Sequence, residues 1–158
     1  MSRPRVDAVL GRLEKGIGKT LQFFAGLSSE QWQQVVYADP YLWTVRDLLA
    51  HFVSSEGALL ELAQDVATGG EGAPEGFSYD SFNAREQERL RDCSAQDLLA
   101  DLAAARQVTV EWVRTLAEAD LDRVGRHPAL GMVSLETMLT AIYGHQLLHM
   151  RDLMRLAV

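Results

Sequence analysis

Residues 135–156 read LETMLTAIYGHQLLHMRDLMRL, and this stretch decides the class of the fold. Apolar side chains recur in it every three or four positions, which is the spacing of one face of an α-helix. Ser134 stands just before the run, where a hydroxyl oxygen can cap the first helical turn. The predicted inward face carries Met138, Ile142, His145, His149 and Leu153 or Leu156.

Two of these inward residues, His145 and His149, are separated by one helical turn. Residues four apart share a face, so both imidazoles can reach one metal ion. A third imidazole from a neighbouring helix would complete a facial set and leave coordination positions open for water or substrate. The alternative is structural, because a buried histidine often does no more than hydrogen-bond to a neighbour.

A third imidazole is predicted on a helix over residues 44–68, which begins Thr44-Val45-Arg46-Asp47. Thr44 and Asp47 have the spacing of a capping box. Asp47 also lies one turn before His51, so it is interpreted either as the cap or as an orienting partner of the His51 ring. His51 is expected to point inward, because its face also carries Leu48, Ser55, Ala58 and Leu62.

Helical spacing continues through most of the chain, and strand signals are nearly absent. Long helices are predicted over 4–26, 44–68, 94 to about 116 and 135–156, with a short helix over 79–91, a helical turn at 28–32, and irregular connections at 69–78 and 120–133. Four long helices, one long crossover connection and an extra short helix predict an all-α four-helix bundle. Metal sites in such bundles are built from side chains on facing helices, which is where the three histidines are expected to meet.

Composition narrows the classes of function. A chain of 158 residues is expected to form one domain, residues 1–158, and has no apolar run near the ~20 residues that cross a bilayer. The N-terminus lacks the apolar core of a secretory signal, so a cytoplasmic location is expected. A formal charge of −7 argues against nucleic acid as a partner. Cys93 is the only cysteine, which excludes an intramolecular disulfide and a cysteine-rich zinc motif.

Four motifs in a fixed order resemble the DinB-like superfamily of metal-binding four-helix bundles. They are WTVRDLLAH at 43–51, FNAR at 82–85, RHPALG at 126–131, and Gly144-His145 with His149 four residues on. The resemblance spans roughly residues 5 to 156. The order and spacing of the motifs carry it, because each motif alone is a weak pattern.

The resemblance implies a divalent metal ion held by His51, His145 and His149, with zinc or nickel expected first and iron, cobalt or copper also compatible with imidazole. Relatives include enzymes that use a low-molecular-weight thiol such as mycothiol or bacillithiol, among them maleylpyruvate isomerase. The implied partners are therefore a small thiol and an electrophilic substrate. The chain departs from the isomerase branch, where a glutamate commonly takes the place of His145 and a second domain follows the bundle.

Three further residues are candidates for contact with a ligand. Asn83 lies on the short helix after the irregular connection, where its amide either meets a ligand at the mouth of the cavity or caps the helix locally. Arg151 either pairs with Asp152 or binds a substrate carboxylate. His127 precedes Pro128 in a predicted loop that leads into the last helix, and such loop histidines are usually exposed.

Two functions compete at this point. The first is a metal-dependent thiol S-transferase, or a related isomerase or hydrolase, in which the open metal positions take a thiol or water. The second is a non-catalytic dimeric stress protein whose cavity binds a metal or a small molecule. A homodimer is expected in either case. A purely structural bundle with three core histidines is the remaining alternative.

Overall fold

The computed structural model of the chain describes residues 2–156 and confirms an all-α four-helix bundle. The four long helices are α1 (Pro4–Ala25), α3 (Val45–Ala67), α5 (Ala95–Arg114) and α6 (Leu135–Leu156), and two shorter ones are α2 (Ser29–Trp32) and α4 (Tyr79–Arg89). Helix α3 packs against α5 and α6, and α1 packs against the same two helices. None of the helices within residues 2–156 has an apolar stretch long enough to span a bilayer.

The predicted capping residues stand where the helices begin. Thr44 and Asp47 form the capping box of α3, with Thr44 Oγ1 accepting from the Asp47 amide at 3.3 Å and Asp47 Oδ2 accepting from the Thr44 amide at 2.9 Å. Ser94 caps α5, and Ser134 accepts from the Thr137 amide at the start of α6. The interpretation of Asp47 as a cap is therefore confirmed. The caps at Thr44 and Ser134 fix the start of the two helices that carry the three histidines.

The structure adds four short strands to the predicted helices. Two antiparallel hairpins flank the bundle: β1 (Val35–Tyr37) pairs with β2 (Trp43–Thr44), and β3 (Val124–His127) pairs with β4 (Gly131–Ser134). The segment 120–133, expected to be an irregular loop, contains the end of a short 3₁₀ helix at Glu118–Asp122 and most of the second hairpin. Strands of two to four residues are too short to show an alternating pattern, and Gly131 at φ +74° supplies the left-handed turn residue.

The core contains a buried polar network as well as apolar side chains. Glu56 on α3 and Arg106 on α5 form an ion pair at 2.6 Å, with their side chains 0% and 1% exposed. Thr109 and Gln146 donate to the same carboxylate at 3.0 Å each, and Arg106 also donates to the Leu13 carbonyl at 2.8 Å. Glu56 lies five residues after His51 on α3, and its side chain enters the interior of the bundle. We call Glu56, Arg106, Thr109 and Gln146 the core ion-pair network.

Candidate metal centre

Helices α3 and α6 bring three imidazoles to one point, and we call His51, His145 and His149 the histidine cluster. His145 Nε2 lies 3.0 Å from His51 Nε2 and 3.2 Å from His149 Nε2. One nitrogen from each ring falls within 4.8 Å of the other two. His51 is 8% exposed, and the other two are half-buried. The cluster joins residues 94 positions apart in the sequence.

The spacing and the protonation state both fit a bound cation. A tetrahedral ion that binds imidazole nitrogens at about 2.0–2.1 Å holds them roughly 3.3 Å apart, close to the distances seen here. Burial, followed by the neighbouring imidazoles, lowers the pKa of His51 to about 3 and that of His145 to about 4. Burial also lowers the pKa of His149. Neutral imidazole is the form that binds a metal, so the cluster is in its ligand form near pH 7.

A tyrosine and a carboxylate set the tautomer of His149. The Tyr37 hydroxyl lies 2.6 Å from Asp152 Oδ2 and 2.8 Å from His149 Nδ1. Because a hydroxyl has one hydrogen, Tyr37 donates to Asp152 and accepts from the Nδ1–H of His149. The lone pair of His149 is then on Nε2, which faces the other two histidines. Burial and Asp152 raise the pKa of Tyr37, which keeps the hydroxyl protonated.

Sequence reasoning missed this arrangement. Tyr37 lies on the three-residue strand β1, 112 positions before His149, and no periodicity marks it. Asp152 accepts from Tyr37 and lies 3.5 Å from Arg155, with which it forms an ion pair on the same helix. The available signal was the spacing of Asp152, which follows His149 by three residues and so shares its helical face.

A cavity of about 930 Å³ opens onto the histidine cluster. All three clustered histidines line it, together with residues of both hairpins, of α3, α4 and α6, and of the connection between α3 and α4. Most of the wall is apolar or aromatic, with contributions from Trp43, Leu59, Leu62, Phe77, Phe82 and Leu148. The volume lies at the upper end of the range for small-molecule sites.

The other candidate residues fall in different places. Asn83 lines the cavity and is half-buried, whereas Arg151 is exposed and is not part of the cavity wall. The expected contact between Arg151 and a substrate carboxylate stays a prediction without support from its position. Cys93 is half-buried, and its carbonyl accepts from the Arg46 side chain at 2.8 Å.

His127 is buried rather than exposed as a loop histidine would be. It lies on β3 with 7% of its surface exposed and lines the cavity. Its Nδ1 accepts from the Ala129 amide at 3.1 Å, so a neutral ring carries its proton on Nε2. Nε2 has no hydrogen-bond partner among residues 2–156.

The sequence profile of the DinB superfamily matches residues 12–153 of this chain. No curated protein matches the chain by sequence. The match covers both histidine-bearing helices and the RHPALG motif, so it includes the histidine cluster and His127.

Three solved structures are similar to the fold. YfiT from Bacillus subtilis, described as a "probable metal-dependent hydrolase with an unusual four-helix bundle topology", has a TM-score of 0.80 at 19% identity over 99% of this chain and 88% of that chain. A mycothiol-dependent maleylpyruvate isomerase has a TM-score of 0.74 at 17% identity over 94% of this chain and 60% of that one. The colibactin self-resistance protein ClbS, solved with double-stranded DNA, has a TM-score of 0.71 at 13% identity over 96% and 94% of the two chains. At these identities the likeness establishes a shared fold.

Proposed function

Since this chain belongs to the DinB superfamily, we propose that it is a divalent-metal-binding, thiol-dependent S-transferase or a related isomerase or hydrolase. The single observation that carries the proposal is the convergence of three imidazole nitrogens within 4.8 Å at the floor of a large cavity. A structural role for the three rings would not need a cavity, and a cavity for a passive apolar ligand would not need three neutral imidazoles.

His51, His145 and His149 are the proposed ligands. Three protein nitrogens leave open positions on the ion, which is the arrangement of catalytic rather than structural sites. Neutral imidazole suits zinc, nickel, iron, cobalt and copper, and zinc or nickel is our first choice. When bound, such an ion supplies Lewis-acid chemistry that lowers the pKa of a thiol or of water and so provides a nucleophile near neutral pH.

The side chains around the site orient a metal ligand and keep water away from the reacting atoms. Tyr37 and Asp152 hold His149 with its Nε2 lone pair directed at the site. The apolar wall of the cavity, which includes Trp43 next to the His51 ring, binds the body of an electrophilic substrate. Low local polarity strengthens the interactions of the charged reacting atoms. The protein itself needs no nucleophilic side chain.

Two alternatives to S-transfer have specific support. Hydrolysis, with water in place of the thiol, is favoured by the similarity to YfiT. Isomerisation is favoured by the similarity to the mycothiol-dependent isomerase, although this chain covers 60% of that protein and the shared part is the bundle.

The experiment combines metal content with a reaction assay. Protein purified without a metal-binding tag is analysed for metal, stripped, and reloaded with zinc or nickel. The reloaded protein is then incubated with small thiols and electrophiles. We expect about one ion per chain and metal-dependent consumption of thiol with formation of an S-adduct.

The outcomes separate the functions. Metal-dependent loss of an ester or amide substrate without thiol would indicate a hydrolase. Stoichiometric metal with no reaction across the panel would favour the non-catalytic stress protein instead. Absence of bound metal in both the purified and the reloaded protein would contradict the proposal.

Two proposed properties concern macromolecular partners. We propose that nucleic acid is not a partner, because the net charge is −7, although ClbS was solved with double-stranded DNA. Salt-dependent binding of duplex DNA near neutral pH would contradict this.

We also propose a homodimer, consistent with exposed apolar side chains such as Met132 and Leu148, which are each 61% exposed. Sedimentation of the purified protein tests it.

A further inference from the structure

The charged side chains on the wall of the cavity all have the same sign. Asp39, Glu61 and Asp80 line it, and no lysine or arginine of residues 2–156 does. All three carboxylates are exposed at the outer part of the cavity, whereas the histidine cluster lies deeper. Asp80 accepts a hydrogen bond from Tyr41 across the mouth.

The arginines near the cavity already have partners. Arg126 donates to the Ala73 carbonyl at 3.0 Å and pairs with Glu75 at 3.2 Å. Arg85 stacks over Phe82 at 5.5 Å and lies 3.4 Å from Glu86. Neither guanidinium is free to neutralise a carboxylate on a bound ligand.

The polar groups inside the cavity are uncharged. Asn83 offers an amide, and His127 offers a neutral ring whose Nε2–H has no partner within the described part of the chain. Such groups recognise hydroxyl, amide and carbonyl groups through hydrogen bonds. A ligand carboxylate would instead meet exposed like charges on the outer wall, where no lysine or arginine of residues 2–156 offsets them, and this disfavours its entry.

We propose that the cavity selects ligands without free carboxylates, either uncharged or cationic, with a largely apolar body and neutral hydrogen-bonding groups. The inference applies to the thiol co-substrate as well, which we expect to lack a carboxylate. Only this extension rests on the proposed function. The acidic wall and the apolar lining apply to any small molecule that enters the cavity. The expected thiol is one whose polar groups are hydroxyls or amides.

The first test uses the metal-free protein and two dyes with one skeleton. N-phenyl-1-naphthylamine is neutral, and 8-anilinonaphthalene-1-sulfonate adds a single negative group. The test variant is the double replacement Asp39→Asn and Glu61→Gln, because neither side chain forms a hydrogen bond or ion pair within residues 2–156. Asp80 is kept because of its bond to Tyr41. The control removes two exposed charges off the cavity, Asp92→Asn and Asp101→Asn.

We expect the cavity double variant to bind the sulfonate dye about fivefold more tightly than the wild type, because two repulsive charges are gone. The affinity of the cavity variant for the neutral dye should differ from that of the wild type by less than about twofold. The control variant should bind both dyes with affinities within about twofold of the wild type. Equal affinity of the sulfonate dye for the wild type and the cavity variant would overturn the inference.

The second test compares thiols on the cobalt-loaded protein. N-acetylcysteamine and N-acetylcysteine differ by one carboxylate, and thiolate binding to cobalt is followed by its charge-transfer absorption. The neutral thiol should bind about tenfold more tightly. Tighter binding of N-acetylcysteine would overturn the selection of thiols. If no thiol gives the absorption, the thiol-dependent part of the proposed function fails, whereas the dye result still decides the charge selection by itself.

Discussion

Helices α3 and α6 carry two buried polar groups that behave in opposite ways. In the core ion-pair network, Glu56 accepts four hydrogen bonds from Arg106, Thr109 and Gln146, so the carboxylate is satisfied by the protein alone. In the histidine cluster, His145 Nε2 lies 3.0 Å from His51 Nε2 and 3.2 Å from His149 Nε2, and burial disfavours the charged forms of these rings. The buried Glu56 carboxylate finds its hydrogen-bond partners within the protein, whereas the clustered imidazole nitrogens are arranged to bind a ligand.

The largest expected effect comes from removing the charge partner of the buried Glu56 carboxylate. Arg106→Met should lower the free energy of unfolding by about 3–5 kcal/mol, because the buried Glu56 carboxylate loses its charge partner. Urea denaturation of the metal-free protein measures this.

The exposed pair of Arg114 with Glu14 provides the matched control, since Arg114→Met should cost less than about 1 kcal/mol. Adding Glu56→Leu to Arg106→Met should recover most of the loss, because no unpaired charge remains. Equal stability of the Arg106 and Arg114 variants would refute the contrast between buried and exposed pairs.

The second prediction concerns loss of a proposed ligand. His51→Ala, His145→Ala and His149→Ala should each weaken zinc binding by more than about a hundredfold, beyond the range for residues that only orient a ligand. Competition with a chromophoric chelator measures the Kd. His127→Ala is the control, because His127 lines the same cavity outside the cluster. Tight stoichiometric binding in all three cluster variants would remove the metal from the proposal.

The third prediction tests the partner of His149. Tyr37→Phe removes the hydroxyl that fixes the His149 tautomer, so zinc affinity should fall by about 10- to 100-fold. Tyr41→Phe makes the same chemical change at the other side of the cavity and should leave the Kd nearly unchanged. If the two variants bind zinc equally well, Tyr37 does not orient the ligand.

The fourth prediction is a pH dependence of the stability of the metal-free protein. His51 and His145 have folded pKa values of about 3 and about 4, below the ordinary 6.5, so the unfolded chain binds more protons below pH 6.5. Stability should therefore fall as pH drops from about 6.5 toward 4, by roughly 1–2 kcal/mol per histidine at pH 5. His145→Gln should show a shallower loss between pH 7 and pH 5. If the stability of the variant falls with pH as steeply as that of the wild type, His145 is not buried as a neutral ring.

Local signals in the sequence predicted the long helices, their caps and the three histidines. Thr44, Ser94 and Ser134 act within one turn of themselves, and His145 with His149 shares one helical face, so sequence spacing was sufficient. Tyr37 and the partnership of Glu56 with Arg106 could not be predicted. Tyr37 and His149 lie 112 positions apart in the sequence, and Glu56 and Arg106 lie 50 apart. Contacts over such separations depend on how the helices and strands pack.

The tether from Tyr37 to His149 crosses from the first hairpin to the last helix, and it joins a wall of the cavity to its floor. In the proposed metal-bound protein, an outward shift of β1 would break this tether and free the His149 ring to rotate, which would weaken its hold on the ion. By thermodynamic reciprocity, a bound ion would favour the position of β1 seen here, so one hydroxyl group would link the position of the hairpin to occupancy of the metal site.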